Sequence, residues 1–538
     1  MDTKALRQKI LDLAIRGKLV PQDPNDEPAS VLLERIRAEK QQMVKDGKLK
    51  AKDIKNDTVI FKGDDNLHYE QFADGTVKCI EDEIPFELPE GWEWCRLQTL
   101  CVKEIKRGKA PKYEEKSDTL VFAQKCNTKA GYIDISKAKF LDQSTLKKYT
   151  DEDYLSYNDI IINSTGTGTL GRIGIYMESD DAYGIKIVPD SHITIVRAMS
   201  SEMNSRYVYY FLKYHQSYFE NSGVGSTNQK ELKPEVISTF LVAVPPIEEQ
   251  NNIVSKIDIA NNYSFDLDNK KEQLKELISA IKSKILDLAI RGKLVPQDPN
   301  DEPASVLLER IRAEKEELIK QGKIKRDKKE SVIFKGDDNS YYEKMSTGEV
   351  KCIDDELPFV LPEGWEWARL KSICEPISDG THQTPKYTDE GYIFLSSKNV
   401  TSGYIDWQNV MYISESLHNK LYERIAPQKN DILLAKNGTT GVAALVDKDY
   451  IFDIYVTLAL IRTIGYQVHP KYILCVFASN TTQYYFKKSL KGIGVPNLHL
   501  EQIRETLVPV PPKNEQVKIY EAVENLNRFI EMVEASLN

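Results

Sequence analysis

The chain has 538 residues, a formal net charge of −9, and 41% hydrophobic and 29% charged residues; this length predicts about three or four domains, and the composition excludes a disordered chain. No apolar run approaches the ~18 residues of a membrane span, the first residues lack a secretion signal, and the seven cysteines form no CxxC pair, so we expect reduced thiols and a cytoplasmic location. The negative charge argues against a simple nucleic-acid binder, although only a surface that faces DNA has to be basic.

The sequence contains two copies of one frame. Residues 9–40, KILDLAIRGKLVPQDPNDEPASVLLERIRAEK, recur without a change at 284–315. Further on, VKCIEDEIPFELPEGWEWCRL (77–97) returns as VKCIDDELPFVLPEGWEWARL (350–370). This period is far above the ~20–50 residues of solenoid repeats, which are therefore excluded.

Between the shared landmarks the two halves diverge almost completely. A later pair of landmarks, VPPIEEQ (244–250) and VPPKNEQ (510–516), closes the variable stretches 98–243 and 371–509. Near-identical frames around unlike inserts indicate one scaffold that carries two different recognition heads, and we call these stretches head 1 and head 2.

Four helices are predicted in the frames, at 30–42, 246–291, 305–321 and 517–537. Apolar residues recur at +3 and +4 along the second and fourth, as is typical of a coiled-coil seam: Leu274, Leu277, Ile281, Ile285 and Leu288, then Val523, Leu526, Ile530, Val533 and Leu537. Laid end to end, the C-terminal helix and the first residues nearly rebuild the complete 246–291 helix. We infer a circular pseudo-repeat whose two long helices pair antiparallel about a pseudo-twofold axis.

Both heads contain an apolar strand, a turn rich in Gly, Thr and Ser or Asn, and another strand. These are DIIINSTGTGTLGRIGIY (159–176) and DILLAKNGTTGVAALV (431–446). Glycines let a backbone approach phosphates, and nearby hydroxyl, amide and lysine groups can donate to phosphates or base edges. Tight-turn geometry alone is the simpler interpretation of the glycines, and no nucleotide-binding GxxxxGK[ST] loop is present.

The start of each head is rich in side chains that suit major-groove readout, since Lys and Arg pair with guanine and Asn and Gln with adenine. These segments are 106–132 and 377–400, for which a solvated loop is the alternative. Together with the turns they supply the candidate DNA-binding residues: Arg107, Lys109, Lys112, Lys125, Asn127, Ser164, Thr165, Thr167, Arg172, His382, Thr384, Lys386, Lys398, Asn399, Lys436, Asn437 and Thr439.

Four segments carry a resemblance to a known family. The PP-x-x-EQ helix starts, the DLAIRGKLVPQDPNDEPASVLLERI block, the LPEGWEW segments and the DGTHQTPKYTDEG opening of head 2 resemble those of Type I restriction specificity subunits. The resemblance covers essentially the whole chain. Head 1 departs from the family pattern because it has no clean DGTHxTP opening.

The resemblance implies an α+β protein with two α/β target-recognition domains, related by pseudo-twofold symmetry and separated by two long antiparallel coiled-coil helices. It implies double-stranded DNA, two methyltransferase subunits and restriction–translocation subunits as partners, with no catalytic site, metal or cofactor in this chain. S-adenosylmethionine, ATP and Mg are expected on the partner subunits. The predicted boundaries are 1–50 and 247–325 for helical regions, 51–87 and 326–360 for linkers, 88–246 and 361–512 for recognition domains, and 513–538 for the last helix.

Two other classes of protein fit the sequence less well. A self-sufficient methyltransferase or nuclease should show a [DNS]-PP-[YFW] motif or a glycine-rich cofactor loop, but the PP pairs here lie in VPPI and VPPK. A coiled-coil scaffold would not need two divergent heads in matching frames. The sequence therefore favours a non-catalytic subunit in which each recognition domain reads half of a bipartite, asymmetric DNA site.

Overall fold

The computed structural model describes residues 2–129, 131–181, 184–225, 230–327, 329–490 and 497–537. It divides into two compact units, Met1–Lys270 and Lys271–Asn538, and each unit holds one copy of the frame and one head. In the described part of the chain, no helix is both long and apolar enough to cross a membrane.

Unit 1 mixes helices with short strands. Its helices are α1 (Thr3–Ile15), α2 (Ala29–Lys45), α3 (Ala51–Ile54), α4 (Ser205–Tyr214), α5 (Gln216–Asn221), α6 (Pro234–Ser238) and the start of α7 (Ile247–Ile290). Its strands are β1 (Val59–Lys62), β2 (His68–Gln71), β3 (Val77–Cys79), β4 (Glu93–Arg96), β5 (Lys106–Arg107), β6 (Tyr113–Glu114), β7 (Thr119–Phe122), β8 (Lys139–Leu141), β9 (Ile160–Asn163), β10 (Ile173–Ile175), β11 (Lys186–Pro189), β12 (Ile193–Val196) and β13 (Leu241–Val244).

Unit 2 repeats this organisation. After the end of α7 its helices are α8 (Ala304–Lys320), α9 (Leu370–Ile373), α10 (Glu415–Tyr422), α11 (Pro470–Ala478), α12 (Asn480–Ser489), α13 (Leu500–Arg504) and α14 (Lys513–Leu537). Its strands are β14 (Ser331–Lys335), β15 (Tyr341–Met345), β16 (Val350–Cys352), β17 (Glu366–Arg369), β18 (Ser378–Asp379), β19 (Tyr387–Thr388), β20 (Tyr392–Leu395), β21 (Met411–Ile413), β22 (Ile432–Ala435), β23 (Ala443–Leu445), β24 (Phe452–Ile454), β25 (Leu458–Ile461) and β26 (Leu507–Val510).

Each head is built on two four-stranded sheets. In head 1 their strand orders are β10-β9-β12-β5 and β11-β7-β8-β6, and in head 2 they are β18-β25-β22-β23 and β19-β21-β20-β24. Strands β9 and β22 lie inside their sheets and are buried along their whole length, which explains their continuous apolar sequences. The predicted fold class, a mixed α/β protein with two repeated domains, is confirmed.

The segments predicted as linkers contain structure instead. Residues 51–87 hold the antiparallel sheet β1-β2-β3, and 326–360 hold its counterpart β14-β15-β16. Arg96 ties the first sheet to the frame, since its Nη2 lies 2.7 Å from Glu70 Oε2, and Arg369 makes the same 2.7 Å contact with Glu343. The linker prediction was wrong because these arginine–glutamate pairs join residues far apart in sequence.

The long helix predicted at 246–291 is confirmed as α7, and its buried stripe keeps only part of the predicted seam, including Ile285. Ile278 and Ile285 of α7 are buried in one cluster with apolar residues of α14. Leu277 and Ile281, which the seam included, are 55% and 41% exposed. Apolar residues spaced by three and four can form two neighbouring stripes on one helix, and the residues of the more buried stripe contact α14.

Within unit 2, α14 runs antiparallel to the last turns of α7. Near its start, Asn514 Nδ2 donates to Asp301 Oδ1 at 2.8 Å, and Asp301 follows the end of α7. Near its end, Glu534 accepts from Lys282 Nζ at 2.9 Å. In unit 1 the start of α1 contacts α7, where Thr3 Oγ1 donates to Asp268 Oδ1 at 2.7 Å. Each unit therefore pairs part of α7 with a helix from one chain terminus.

Candidate nucleic-acid interface

The same surface recurs in both heads, where the hairpin turn meets a short 3-10 helix. The turn after β9 lies against Gln124, whose Nε2 donates to the Thr165 carbonyl at 2.7 Å. In head 2, the turn after β22 lies against Ser397, whose Oγ is 3.4 Å from Asn437 Oδ1. We call these two regions, residues 124–126 with 164–171 and residues 397–399 with 436–441, the turn surfaces.

Lys125 and Lys398 occupy the same position in the two turn surfaces. Each lies in the 3-10 helix that follows the parallel strand of its head, β7 or β20. The backbone bonds that close these helices match, from Cys126 to Ala123 and from Asn399 to Ser396, both at 2.9 Å. Both lysine side chains are exposed. The matching lysines give two otherwise unlike surfaces a cation at one shared place.

Nine of the predicted residues are exposed and present donors to solvent: Lys109, Lys112, Lys125, Thr167, His382, Thr384, Lys386, Lys398 and Thr439. In head 2 the opening loop is held beside the turn surface. Thr384 Oγ1 lies 3.1 Å from the Tyr455 hydroxyl, and the Tyr455 N–H donates to the Leu395 carbonyl at the end of β20. The loop that carries His382 and Lys386 thus extends this surface.

Two predicted contacts of head 1 are buried and are corrected. Asn127 is fully buried, and its Nδ2 donates to the Arg172 carbonyl at 3.1 Å. Ser164 is also fully buried, with its hydroxyl 2.6 Å from that of Thr194. Both side chains stabilise the hairpin from inside and cannot reach a ligand outside the head.

Two predicted contacts of head 2 are corrected in the same way. Lys436 is 4% exposed, and its Nζ lies 2.5 Å from Asp379 Oδ2. Asn399 is 6% exposed and donates to the Asn409 carbonyl at 2.9 Å. A buried cation needs such a partner because desolvation of an unpaired charge is costly, so Lys436 fixes the turn instead of facing DNA.

Three predicted cations of head 1 make contacts within the head, Arg107 and Arg172 where they are half-buried and Lys109 at the surface. Arg107 donates to the Leu232 carbonyl at 2.8 Å, and Arg172 donates to two backbone carbonyls around the glycine turn. Lys109 Nζ lies 2.5 Å from Asp153 Oδ2. These contacts position the loops of the turn surface, and a role in DNA contact stays a prediction for each.

One residue in each head links its turn to the rest of the surface, and sequence reasoning missed both. In head 1, His192 accepts from the Ser164 N–H at 2.8 Å, and its Nδ1 lies 2.7 Å from Thr165 Oγ1. In head 2, Thr457 accepts from the Lys436 N–H at 2.8 Å, and its Oγ1 accepts from the Ser397 N–H at 3.0 Å. Neither lies in a glycine-rich or lysine-rich segment, so no pattern singled it out.

The Asp190 carboxylate lies beside His192 in head 1 and accepts a hydrogen bond from its backbone N–H. Burial raises the pKa of Asp190 above its usual value, although the backbone N–H of His192 stabilises the charged form. This contact holds His192 in place beside the glycine-rich turn, where its Nδ1 lies close to Thr165 Oγ1.

Comparison with known proteins decides the family. The family model described as the Type I restriction modification DNA specificity domain matches this chain twice, over residues 89–276 and 362–538. The chain belongs to the Type I restriction enzyme specificity subunits. Each matched range contains one turn surface, and the role of the chain is that of a DNA-recognition subunit.

Relatives of this specificity subunit align along nearly its full length. The EcoAI specificity subunit of Escherichia coli is 30% identical over 97% of this chain and 88% of that protein. The EcoEI specificity subunit of Escherichia coli is 29% identical over 99% of this chain and 90% of that protein. A crystal structure of the HsdS subunit from Thermoanaerobacter tengcongensis matches with 14% identity and a TM-score of 0.44, covering 85% of this chain and 94% of that one.

Proposed function

We propose that each head reads one half of a bipartite, asymmetric DNA site through its turn surface. The observation that carries this proposal is the pair Lys125 and Lys398, exposed at one matching position in heads whose other surface residues differ. A cation shared by two different readers suits the phosphate backbone, which is the same in every sequence. The unlike residues around it suit base edges, which differ between the half-sites.

The neighbouring groups fit this division of roles. Exposed hydroxyls of Thr167 and Thr439 lie on the glycine turns, where the backbone can approach a phosphate closely. In head 2, His382, Thr384 and Lys386 add donors that can reach base edges in the major groove. The two heads therefore differ most in the side chains that would carry sequence information.

The long helices set the spacer between the half-sites and dock two methyltransferase subunits in this proposal. Apolar side chains at i, i+4 and i+8 of α7 are exposed: Ile259, Tyr263 and Leu267 are 48%, 69% and 40% exposed. On α14, Phe529 and Met532 are 63% and 65% exposed. Exposed apolar stripes of this kind are typical of surfaces that a protein partner covers.

We also propose that the catalytic sites lie on partner subunits and not on this chain. The methyltransferase and restriction–translocation subunits bring S-adenosylmethionine, ATP and Mg, and the specificity subunit works with them in the cytoplasm. The two PP pairs of the sequence, in VPPI and VPPK, lack the polar and aromatic neighbours of a methyltransferase motif. Methyl transfer to DNA by the purified chain without any partner would contradict this assignment.

Alanine variants of the matched lysines test the recognition role. Lys398→Ala, in complex with methyltransferase subunits, should weaken binding to the native site about tenfold and lower the slope of log affinity against log salt by about one. Lys125→Ala should do the same through the other half-site. The native site is first obtained by mapping methylated bases in cells that carry the system.

Lys429 provides a matched control, because it is exposed and precedes β22, whereas the turn surface follows that strand. Lys429→Ala should keep the wild-type affinity and salt dependence. Equal losses for Lys429→Ala and Lys398→Ala would show that the effect is general charge and not the turn surface.

A further inference from the structure

Unit 2 contains a cavity of about 740 Å³ between its frame and head 2. Repeated frame residues form one wall, and residues of head 2 form the other, including Val476, Asn480 and Thr506. Exposed Tyr484 lies at its rim. Its volume lies in the range of small-molecule sites, and its lining combines apolar and aromatic residues with charged ones such as Asp287 and Arg291.

The corresponding space in unit 1 can be identified from equivalent contacts. Tyr207 of α4 donates to the Ala243 carbonyl at 2.7 Å, and Tyr472 of α11 donates to the Pro509 carbonyl at 2.6 Å. These helices therefore occupy the same place in the two units. Likewise, the Phe240 carbonyl accepts from the Leu97 N–H, directly after β4, at 2.9 Å. The Thr506 carbonyl accepts from the Leu370 N–H, directly after β17, at the same distance.

Aromatic rings fill that space in unit 1. By this equivalence, Phe211, Tyr214, His215 and Phe240 stand where unit 2 has Val476, Ser479, Asn480 and Thr506. The rings of Phe211 and His215 are 4.8 Å apart, and those of His215 and Phe240 are 5.2 Å apart. The cavity thus exists because four aromatic side chains of unit 1 are replaced by small ones in unit 2.

The frame side of this space has the same three residue types in both units. In unit 1, the Arg16 guanidinium lies 5.1 Å from the Phe86 ring, which contacts Trp94 at 5.0 Å. In unit 2, Arg291 lies 4.5 Å from the ring of Phe359, which contacts Trp367 at 5.0 Å. Unit 2 therefore has the same aromatic pair on the frame side, and Tyr484 and Tyr485 of α12 also line its cavity.

A carboxylate on this wall marks where a polar group would sit. In unit 1, Asp12 accepts from Arg16, from Lys9 and from the Tyr214 phenol, the last at 2.9 Å. In unit 2, Asp287 accepts from Arg291 at 2.6 Å and from Lys284 at 3.4 Å. The residue at the Tyr214 position, Ser479, donates to the Val476 carbonyl at 2.6 Å instead.

We infer that the unit 2 cavity binds a small aromatic ligand that carries a hydrogen-bond donor. Its ring lies against Phe359 and Trp367, and its donor reaches the Asp287 carboxylate, as the Tyr214 side chain does at Asp12 in unit 1. The aromatic contact and the charge-assisted hydrogen bond together favour a phenol over a plain hydrocarbon. The residues that line this cavity are distinct from those of the turn surfaces.

Binding of p-cresol, which has the side chain of tyrosine, tests the inference on the purified full chain without DNA. Ligand-observed NMR should show saturable binding with a Kd on the order of 1 mM, and toluene should bind about tenfold more weakly because it lacks the donor. Thr506→Phe restores the unit 1 residue and should abolish p-cresol binding.

A second variant guards against misfolding of the first. Asn480 is exposed, so Asn480→His should fold normally, and it should reduce binding by refilling the cavity mouth. No saturable binding to the wild type, or unchanged binding to folded Thr506→Phe and Asn480→His, would overturn the inference. Added methyltransferase subunit should leave p-cresol bound, and its displacement would contradict a free small molecule as the occupant.

Discussion

Asp379 and Lys436 form a buried ion pair in head 2, at 9% and 5% side-chain exposure. In head 1 the residue equivalent to Asp379 is Arg107, on strand β5. The residue equivalent to Lys436 is Ser164, directly after β9. Head 1 therefore has its cation on the strand and not in the turn, and this cation, Arg107, donates to the Leu232 carbonyl. The two heads thus hold their turns by different side chains within one backbone arrangement.

Removal of Lys436 should act on stability. Lys436→Ala removes the nearest cation from the buried Asp379 carboxylate and leaves Arg424 Nη2 at 3.9 Å, so we expect unfolding of head 2 to become easier by about 3 kcal/mol. The double variant Lys436→Met, Asp379→Leu removes both charges and should recover most of this loss. Thermal unfolding of the three proteins gives the comparison, and a single variant as stable as the wild type would show that the pair contributes nothing.

The burial of Lys436 also shows where sequence reasoning on the site ends. A lysine in a polar, glycine-rich turn predicts an exposed cation, and its partner Asp379 precedes it by 57 residues. Only the pairing of β18 with β25, and of β25 with β22, brings the two together. By contrast, the equivalence of Lys125 and Lys398 follows the repeat spacing that the frames already display.

At the scale of elements, the frame helices were predictable because their periodic apolar residues and proline-marked starts are local signals. The helix predicted at 246–291 is observed at Ile247–Ile290, and the helix predicted at 305–321 is observed at Ala304–Lys320. The small sheets at β1-β2-β3 and β14-β15-β16 were not predicted, since their stability depends on distant frame arginines. Short strands without such a partner have little stability of their own.

Arg369→Met should therefore release the sheet β14-β15-β16. The guanidinium donates to Glu343 and Glu356 at 2.7 and 2.6 Å, and its loss leaves Glu343 buried without a cation. Hydrogen exchange of residues 331–352 should rise at least about tenfold, because local opening becomes easier. Arg96→Met is the matched variant and should loosen residues 59–79 only; loosening of both sheets by either change would contradict this assignment.

At the scale of the whole molecule, the proposal that the helices set the spacer has a direct consequence. Helix α7 has 44 residues, and at ~1.5 Å per residue it spans roughly 66 Å. One heptad added to each helical arm preserves the apolar stripe and lengthens the arms by ~10 Å, or about three base pairs. We expect a longer spacer with both half-sites unchanged, read from methylated sites; an active variant with the original spacer would exclude the helices as its determinant.

If the two heads read DNA independently, a chain that carries two copies of one head should recognise a symmetric site. Residues 98–243 are replaced by 371–509, so that head 2 stands in both frames, and methylated sites are mapped in cells that carry the variant with its partner subunits. We expect the half-site of head 2 to stay unchanged and the other half-site to become a second copy of it. An active variant that retains the original asymmetric site, or alters the half-site of head 2, would show that the heads do not read DNA independently.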